Sequence, residues 1–463
     1  MPCDENPSVF LRTYWQDEIF LKQHMKCIMA MWVALPLTIA ARAMDPGTMP
    51  AVTDPLALKL SPADMKWWQD AKFGMFIHWG LYAIPAQGEW YMNDKKVPAA
   101  EYRKLMDQFN PQHYDSAAWV KAAKATGMKY MVLTARHHDG FAMWDSPSSY
   151  DNFDAVHSAA KRDLIAPYVK AAREAGMRVG LYYSPMDWRF PGYFDPKGLP
   201  DNAALMKKQT WGQVEELMKN YGHIDILWYD GAWLAMKGTD ADAGPFWESD
   251  KLAKMARSYQ PKVVISPRSG WVGDFGTDEG GAAVTGPIKS GPWEKCLNLN
   301  ETTWGYNTRQ RLMSRDRALN MLVNVVVRGG NMLLNVGPDK DGVIPEAHVA
   351  RLKEIGDWLT QYGESVYDTR PGPFQPVDGR YGATYRGKTI YVHVLGWGPA
   401  AAQSDTLVLP ALKQKVRNVR VITSDGAVRF TQGEGEVTLQ LPTEKHDALD
   451  TILALECETP VEP

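Results

Sequence analysis

The stretch 129-KYMVLTARHHDGF-141 places a run of apolar residues directly before a group of polar ones. An apolar run of this length is typical of a strand that is buried on both faces. Such strands form parallel sheets that are covered by helices on both sides. The polar residues His137, His138 and Asp139 follow where the strand is predicted to end, so they are candidates for a binding or catalytic site.

Strands and helices alternate on both sides of this stretch, from about residue 60 to 365. Predicted helices cover 116–127 and 163–176, each closed by a glycine, and also about 203–220 and 347–363. The predicted strands are 72–80, 129–138, 177–185, 224–231, 262–268 and 331–338. This α/β alternation over roughly 300 residues predicts a (β/α)8-like TIM barrel. An open doubly wound sheet is the alternative, but no G-x-G-x-x-G follows the first strand, which argues against a dinucleotide-binding version.

The carboxyl-terminal part of the chain has a different pattern. After 370-RPGP-373, short β-like runs are separated by Gly, Pro and Asp turns, and no helical pattern appears. This pattern predicts a small C-terminal antiparallel β-sandwich over residues 370–463, after a barrel that spans 44–369.

The amino-terminal part, residues 1–43, has the features of a leader. Lys22 and Lys26 precede a short apolar run that ends in Ala-Arg-Ala, which is typical of a secretory signal cleaved after Ala43. The run is too short for a comfortable membrane span and contains Pro36. The sequence therefore predicts a secreted or periplasmic protein that keeps no stable membrane span after processing.

Composition excludes some partners and favours others. The net charge of −3 shows no basic excess, so no nucleic-acid partner is expected. The four cysteines show no spacing typical of a zinc site or a disulfide framework, and no metal or cofactor is predicted. The 18 tryptophans exceed the 13 phenylalanines, and such large rings often line clefts. A carbohydrate ligand would suit them, whereas a tryptophan-rich core is the simpler explanation.

Polar residues recur at the carboxyl ends of the predicted strands, which meet at one mouth in a barrel. Besides the quoted stretch, these residues are His78, Trp79, Trp228, Tyr229, Asp230 and Arg268. Asp230 is the strongest candidate for a nucleophile, because it ends an apolar strand and precedes Gly231, which lets the backbone turn. A helix N-cap is the alternative role for Asp230.

Neighbouring histidines on a strand point to opposite faces. We therefore do not expect His137 and His138 to chelate one metal together. Neutral imidazoles can both donate and accept hydrogen bonds, which suits a polyhydroxylated ligand.

Eight separated motifs occur in the order in which a known family has them. They are KFGMFIHWGLYAIP (72–85), GEWY (88–91), TARHHDGFAMW (134–144), LYYSPMDW (181–188), WYDG (228–231), SPR (266–268), WEKCLNLNETTWGYN (293–307) and GGNMLLNVGPDKDG (329–342). On these motifs the chain, from about Trp67 to Tyr367, closely resembles the α-L-fucosidases of glycoside hydrolase family 29.

This resemblance implies a retaining, exo-acting α-L-fucosidase that needs no cofactor and acts on fucosylated oligosaccharides or glycoconjugates. Asp230 matches the family's nucleophile, and Trp304 matches an aromatic residue that packs against the C5 methyl group of fucose. The positions that match the family's sugar-binding residues are His78, Glu89, Trp90, His137, His138, Trp228 and Arg268. A homo-oligomer is compatible with the sequence.

The general acid/base varies in position across the family, and two glutamates qualify here. Glu279 lies in GWVGDFGTDEGG, interpreted as a glycine-rich loop, and Glu294 lies in PWEKC. Retaining enzymes place the two carboxyl groups about 5–5.5 Å apart, which sequence cannot measure. We favour Glu279, keep Glu294 as a candidate, and place Asp274 and Asp278 next.

Three other functions compete with this interpretation. They are a non-catalytic fucose-binding lectin, a metal-dependent hydrolase that uses His78, His137 and His138, and a retaining glycosidase for another hexose. An aromatic wall at Trp304 disfavours the last, because it would leave a C6 hydroxyl group unpaired.

Overall fold

The structure is a computed structural model that describes residues 47, 49–395, 405–441 and 443–462. The predicted leader and its cleavage point after Ala43 lie outside these residues. No helix among the described residues is long and apolar enough to cross a membrane.

Eight parallel strands form the first sheet of the described chain. They are β1 (Phe73–Ile77), β2 (Tyr130–Arg136), β3 (Arg178–Tyr183), β4 (Ile226–Tyr229), β5 (Val264–Ile265), β6 (Gly276–Glu279), β7 (Trp293–Asn298) and β8 (Gly330–Val336). Their spatial order is β5-β4-β3-β2-β1-β8-β7-β6. Apart from β5 and β6, strands that follow one another in the chain are neighbours, and the first strand pairs with the last, as in a barrel. This arrangement confirms the predicted barrel-like α/β fold and excludes the doubly wound alternative.

Helices precede, connect and follow these strands. They are α1 (Pro62–Ala71), α2 (Tyr91–Asp94), α3 (Ala99–Arg103), α4 (Ser116–Ala125), α5 (Ile165–Glu174), α6 (Pro191–Phe194), α7 (Pro200–Asn220), α8 (Asp240–Trp247), α9 (Ser249–Tyr259), α10 (Arg315–Val326) and α11 (Glu346–Tyr362). The starts of α4 and α10 follow from their sequence, because the side chains of Asp115 and Ser314 accept hydrogen bonds from main-chain N–H groups of the first turn.

Alternate residues of the strands belong to two different cores. Phe76, Val132 and Tyr182 point into the barrel, whereas Met75 and Leu133 pack outward against the helices. The inward side chains leave little free space. A Cβ atom on Gly74 would lie 2.4 Å from the ring of Tyr130, so Gly74 makes room for that ring.

The barrel is not closed by a continuous ladder. In the described chain β5 pairs with β4 and β6 pairs with β7, but no ladder joins β5 to β6. Asp274 bridges this gap, because its N–H donates to the Ile265 carbonyl oxygen and its Oδ2 accepts from the Ile265 N–H, both at 2.8 Å. An ion pair with Arg257 at 2.6 Å holds the Asp274 carboxylate in place. We call this gap the β5–β6 seam.

Two strands were absent from the sequence prediction. The glycine-rich segment that carries Glu279 forms the short strand β6, and the segment that carries Glu294 forms β7. Glycines in and around β6 hid the strand pattern, since glycine is depleted in strands.

The carboxyl-terminal part forms two antiparallel sheets. The strands are β9 (Arg370–Pro371), β10 (Tyr381–Arg386), β11 (Thr389–Val394), β12 (Thr406–Pro410), β13 (Val416–Val421), β14 (Arg429–Gln432), β15 (Glu436–Gln440) and β16 (Thr451–Cys457). One sheet has the order β13-β16-β11-β10-β9 and the other β12-β15-β14. Buried side chains of both sheets, including Val392, Leu407 and Leu439, pack in one cluster, which confirms the predicted sandwich.

Candidate active site

A cavity of about 410 Å³, open mouth included, lies where the carboxyl ends of the barrel strands meet. Its lining combines aromatic rings with a few polar groups, as small-molecule sites usually do. The lining residues are Phe76, His78, Trp90, His137, His138, Tyr182, Trp228, Asp230, Trp233, Arg268, Glu279, Cys296 and Trp304.

Asp230 follows β4, and its carboxylate is held from two sides. Oδ1 accepts a hydrogen bond from Nη1 of Arg268 at 2.8 Å, and Oδ2 accepts one from the Tyr182 hydroxyl group at 3.0 Å. Nε2 of His138 lies 3.7 Å from Oδ2. The next helix, α8, is capped by Thr239 instead, so the N-cap role considered for Asp230 does not apply.

These contacts decide the charge of Asp230. Burial alone would raise its pKa, but the Arg268 guanidinium and the hydrogen bonds from Arg268 and Tyr182 hold the pKa below its usual value. The side chain is therefore an anion at neutral pH, oriented for attack on an electrophile in the cavity.

Arg268 also binds the second carboxylate of the cavity. The same Nη1 atom lies 2.6 Å from Oε2 of Glu279, whose side chain is 43% exposed at the mouth. Because this atom also lies 2.8 Å from Oδ1 of Asp230, the two oxygens are separated by at most about 5.4 Å, the sum of the two distances. Carboxyl groups of retaining glycosidases are about 5–5.5 Å apart.

Glu294 lies in a different place. Its Oε1 accepts from Nε1 of Trp228 at 2.8 Å and its Oε2 accepts from the Tyr130 hydroxyl group at 2.5 Å. Trp228 lines the cavity, and Glu294 lies behind it with 1% of its surface exposed. Burial raises the pKa of Glu294 to about 7. Its contacts orient Trp228 and give it no path to a leaving group.

Asp274 and Asp278, the remaining acid/base candidates from the sequence, form ion pairs with other residues. Asp274 bridges the β5–β6 seam, and Asp278 forms ion pairs with Lys289 and Lys295 at 3.1 and 2.9 Å. Neither side chain shares the guanidinium that joins Asp230 to Glu279.

Comparisons with known proteins agree with this geometry. A sequence model of the alpha-L-fucosidase family matches residues 54–364. The chain belongs to the alpha-L-fucosidase family. This membership makes it a glycoside hydrolase and confirms the resemblance drawn from the motifs.

Individual relatives cover most of both chains. Human tissue alpha-L-fucosidase is 30% identical over 362 residues, which span 72% of this chain and 75% of the relative. The structure of alpha-L-fucosidase isoenzyme 1 from Paenibacillus thiaminolyticus is similar with a TM-score of 0.74 at 35% identity, over 85% of this chain and 99% of that one. A glycoside hydrolase family 29 fucosidase from Bacteroides thetaiotaomicron, solved as a trapped covalent intermediate, has a TM-score of 0.76 at 28% identity, over 87% and 97%.

The two adjacent histidines of this family member do not lie as expected. Both His137 and His138 line the cavity, with ring centroids 4.0 Å apart, so the expectation of opposite faces is wrong. Strand β2 already ends at Arg136, and the chain then turns, with the Gly140 N–H donating to the His137 carbonyl oxygen at 3.0 Å. Strand alternation therefore does not apply to these residues.

All three cavity histidines are neutral at physiological pH. Burial lowers the pKa of His78 to about 3 and that of His138 to about 4, and it lowers the pKa of His137 far below its usual value. Among the described residues, no group of three or more His, Cys, Asp or Glu side chains is arranged to hold a metal ion. The metal-dependent alternative gains no support from this geometry.

Glu89 does not line the cavity, although the other sugar-binding candidates do. Its Oε2 accepts hydrogen bonds from the main-chain N–H groups of Trp304 and Gly305, at 3.0 and 2.8 Å. Burial raises the pKa of Glu89 to about 7, although these two hydrogen bonds oppose the rise. Glu89 thus fixes the loop that presents the Trp304 ring to the cavity.

Sequence reasoning missed four lining residues, namely Phe76, Tyr182, Trp233 and Cys296. Tyr182 is the most consequential, because its hydroxyl group binds the Asp230 carboxylate. Inward alternation along β3 could have revealed it, since Gly180 and Tyr182 share one face of that strand.

Proposed function

We propose that the chain is a retaining, exo-acting α-L-fucosidase with Asp230 as nucleophile and Glu279 as general acid/base. The observation that carries this proposal is the single Nη1 atom of Arg268 shared by the two carboxylates, which limits the distance from Oδ1 of Asp230 to Oε2 of Glu279 to at most about 5.4 Å. An inverting enzyme needs about 6.5–9.5 Å, to leave room for a water molecule.

In the first step, Glu279 donates a proton to the departing glycosidic oxygen while Asp230 attacks the anomeric carbon. The glycosidic bond breaks, and an ester forms between Asp230 and the sugar. In the second step, Glu279 takes a proton from water, whose oxygen displaces Asp230 with a second inversion. The exposure of Glu279 at the cavity mouth supports this role, because the leaving group departs there.

The shape of the cavity supports exo action on fucosyl residues. The cavity lies at one mouth of the barrel, and its aromatic and polar lining suits one terminal sugar. Trp304 offers an apolar wall that suits the methyl group of a 6-deoxy sugar, whereas a C6 hydroxyl group of another hexose would be left unpaired there. The substrate class is therefore a fucosylated oligosaccharide or glycoconjugate.

Two assays test the proposal. The chain should hydrolyse 4-nitrophenyl α-L-fucoside and should be about tenfold to a hundredfold slower on the corresponding α-L-galactoside, in line with the cost of an unpaired buried hydroxyl group. Proton NMR during hydrolysis should show the α anomer of fucose first. Release of the β anomer first would overturn retention, and binding of fucose without any turnover would favour the lectin alternative.

We also propose that the chain is exported and processed after Ala43, on the leader features of residues 22–43. Mass spectrometry of the protein from its native host should find an amino terminus close to Met44. An intact form that begins at Met1 and stays in the cytoplasm would refute export.

A further inference from the structure

The amide group of Asn335 contacts three neighbours that together define its orientation. Asn335 lies near the end of β8 and is buried. Its Nδ2 atom lies 2.7 Å from the main-chain carbonyl oxygen of Trp304 and 2.9 Å from Oδ1 of Asn298. Because a carbonyl oxygen can only accept a hydrogen bond, the Trp304 contact identifies this atom as the nitrogen. Both hydrogens of Nδ2 are thereby used.

The other atom of this amide determines where His78 carries its proton. Oδ1 of Asn335 lies 2.8 Å from Nδ1 of His78, and an amide oxygen can only accept. Nδ1 of His78 must therefore be the protonated nitrogen. Since the ring is neutral, Nε2 carries a lone pair, and no described residue forms a hydrogen bond with it.

We propose that Asn335 is a positioning residue that holds His78 as the Nδ1-protonated tautomer and so makes Nε2 a hydrogen-bond acceptor in the cavity. This inference rests on the proposed function only for the partner of Nε2, which is then a hydroxyl group of the sugar. A ligand atom that cannot donate, such as an ether oxygen or a fluorine, would meet the lone pair without a hydrogen bond.

The same amide also couples this acceptor to the apolar wall. Asn335 holds the main chain of Trp304, and the rings of Trp304 and His78 lie 5.1 Å apart between centroids. One side chain therefore fixes both a polar contact and an apolar contact on the same side of the cavity. Such fixed placement is what selects one sugar orientation over another.

Asn331 offers a matched control on the same strand. It is also buried and points to the same side of β8 as Asn335, and its Nδ2 donates to the Trp68 carbonyl oxygen at 2.7 Å. It is neither a contact of His78 nor a lining residue of the cavity. Replacing either asparagine by leucine removes a buried amide from β8, but only one replacement removes the acceptor opposite His78.

The first experiment reads the tautomer directly and needs no substrate. Histidine labelled with ¹⁵N at Nδ1 is incorporated, and solid-state NMR separates protonated from unprotonated nitrogens among the ten histidines. The signal that disappears in His78→Gln should be that of a protonated nitrogen in the wild-type protein. It should stay unchanged in Asn331→Leu and shift towards the unprotonated position in Asn335→Leu.

Asn335→Asp keeps an acceptor opposite Nδ1 of His78 and should retain the protonated signal. This variant is used if Asn335→Leu does not fold. An unprotonated Nδ1 of His78 in the wild-type protein would overturn the proposal.

The second experiment measures the consequence for binding. With 4-nitrophenyl α-L-fucoside, Asn335→Leu should raise KM about tenfold and lower kcat less, as expected for a hydrogen bond made to the bound sugar. Asn331→Leu should keep KM within about twofold of wild type. Equal changes in KM for both variants would reduce Asn335 to a structural role and overturn the proposal. Absence of any fucoside hydrolysis in the wild-type protein would refute the proposed function but would leave the NMR result to decide the tautomer.

Discussion

Strands β6 and β7 are neighbours, and each carries a glutamate. The side chain of Glu279 is exposed, whereas that of Glu294 is buried. The strands pair so that Glu279 lies beside Cys296 and Glu294 lies beside Thr277. Glu279 ends its strand, reaches the cavity mouth and pairs with Arg268, whereas Glu294 is the second residue of its strand and is buried behind Trp228. Two residues of register along a parallel pair thus separate a carboxylate that can reach substrate from one that supports the cavity wall.

The difference shows that burial and partners assign roles that residue type cannot. Glu279 lines the cavity itself, and Glu294 contacts the lining residue Trp228. Only Glu279 combines solvent contact with a short distance to the nucleophile, which a general acid/base requires. Each prediction below changes one side of this comparison.

Replacing Asp230, the proposed nucleophile that acts together with Glu279, should have the largest effect on turnover. Asp230→Ala should lower kcat by at least about 10⁴-fold, as expected when a nucleophile is lost. Azide should restore part of the rate and yield β-fucosyl azide, because it attacks from the vacated face. Product analysis by NMR and circular dichroism of the folded variant test both points. Near-normal turnover of the variant would rule out Asp230 as nucleophile.

Replacing Glu279 should have the next largest effect, and it should depend on the leaving group. Glu279→Ala should lose about 10²–10⁴-fold on substrates with poor leaving groups and much less on activated aryl fucosides, since only the former need a proton. Azide should then give α-fucosyl azide, after two inversions.

The matched variant for that test is Glu294→Gln, which keeps a hydrogen-bonding group beside Trp228 and Tyr130. It should change kcat/KM by less than about tenfold and equally for both substrate classes, since it loses no proton transfer. Rates measured on a series of aryl fucosides decide between the two glutamates. A leaving-group dependence in Glu294→Gln but not in Glu279→Ala would exchange their roles.

A smaller effect is expected on stability when Glu294 is shortened. Glu294→Ala leaves the Trp228 N–H group and the Tyr130 hydroxyl group without their partner, and each unsatisfied buried group costs about 1–3 kcal/mol. Urea denaturation should therefore show a lower free energy of unfolding for Glu294→Ala than for Glu294→Gln. Glu279→Ala, at an exposed position, serves as the control and should change stability little. Equal stability of the two Glu294 variants would show that these hydrogen bonds contribute nothing.

The smallest effect is a pH dependence. Burial raises the pKa of Glu294 to about 7 from an ordinary value of 4.5, so the folded chain binds this proton more tightly than the unfolded chain. The free energy of unfolding should therefore fall as the pH rises from about 4.5 to above 7. Glu294→Gln removes this contribution, at most about 3.5 kcal/mol, because one pKa unit corresponds to about 1.4 kcal/mol. Denaturation at pH 5 and pH 8 should show a smaller difference for the variant. An unchanged difference would place the titration elsewhere, for example at Glu89.

The sequence predicted the barrel because buried parallel strands are nearly continuous apolar runs. The runs that became β1, β2 and β3 could be recognised without any structure, and the polar residues after them marked the mouth. The glycine-rich segment around β6 carried no such signal, since its pairing depends on β7 and on no property of its own residues. For the same reason, the sequence could name Glu279 as a candidate but could not place it at the end of a barrel strand.

The sequence predicted most of the residues of the site, but it did not predict how they contact one another. Nine of the eleven predicted residues line the cavity, yet the sequence could not show that Glu294 lies behind Trp228 or that Glu89 binds the Trp304 loop. These facts depend on which side chains meet across distant segments, and spacing along the chain does not contain them. The adjacent histidines failed for a local reason, because β2 ends one residue before the alternation rule was applied.

The β5–β6 seam separates the two carboxylates mechanically. Asp230 follows β4 on one side of the seam, and Glu279 ends β6 on the other. Among the described strands, no continuous backbone ladder sets the distance between them on that side. That distance is instead fixed by side chains, namely the Arg268 guanidinium and the Asp274 bridge. Across the seam, the spacing of these two carboxylates is therefore a property of the Arg268 and Asp274 side chains and of no pair of hydrogen-bonded strands in the described chain.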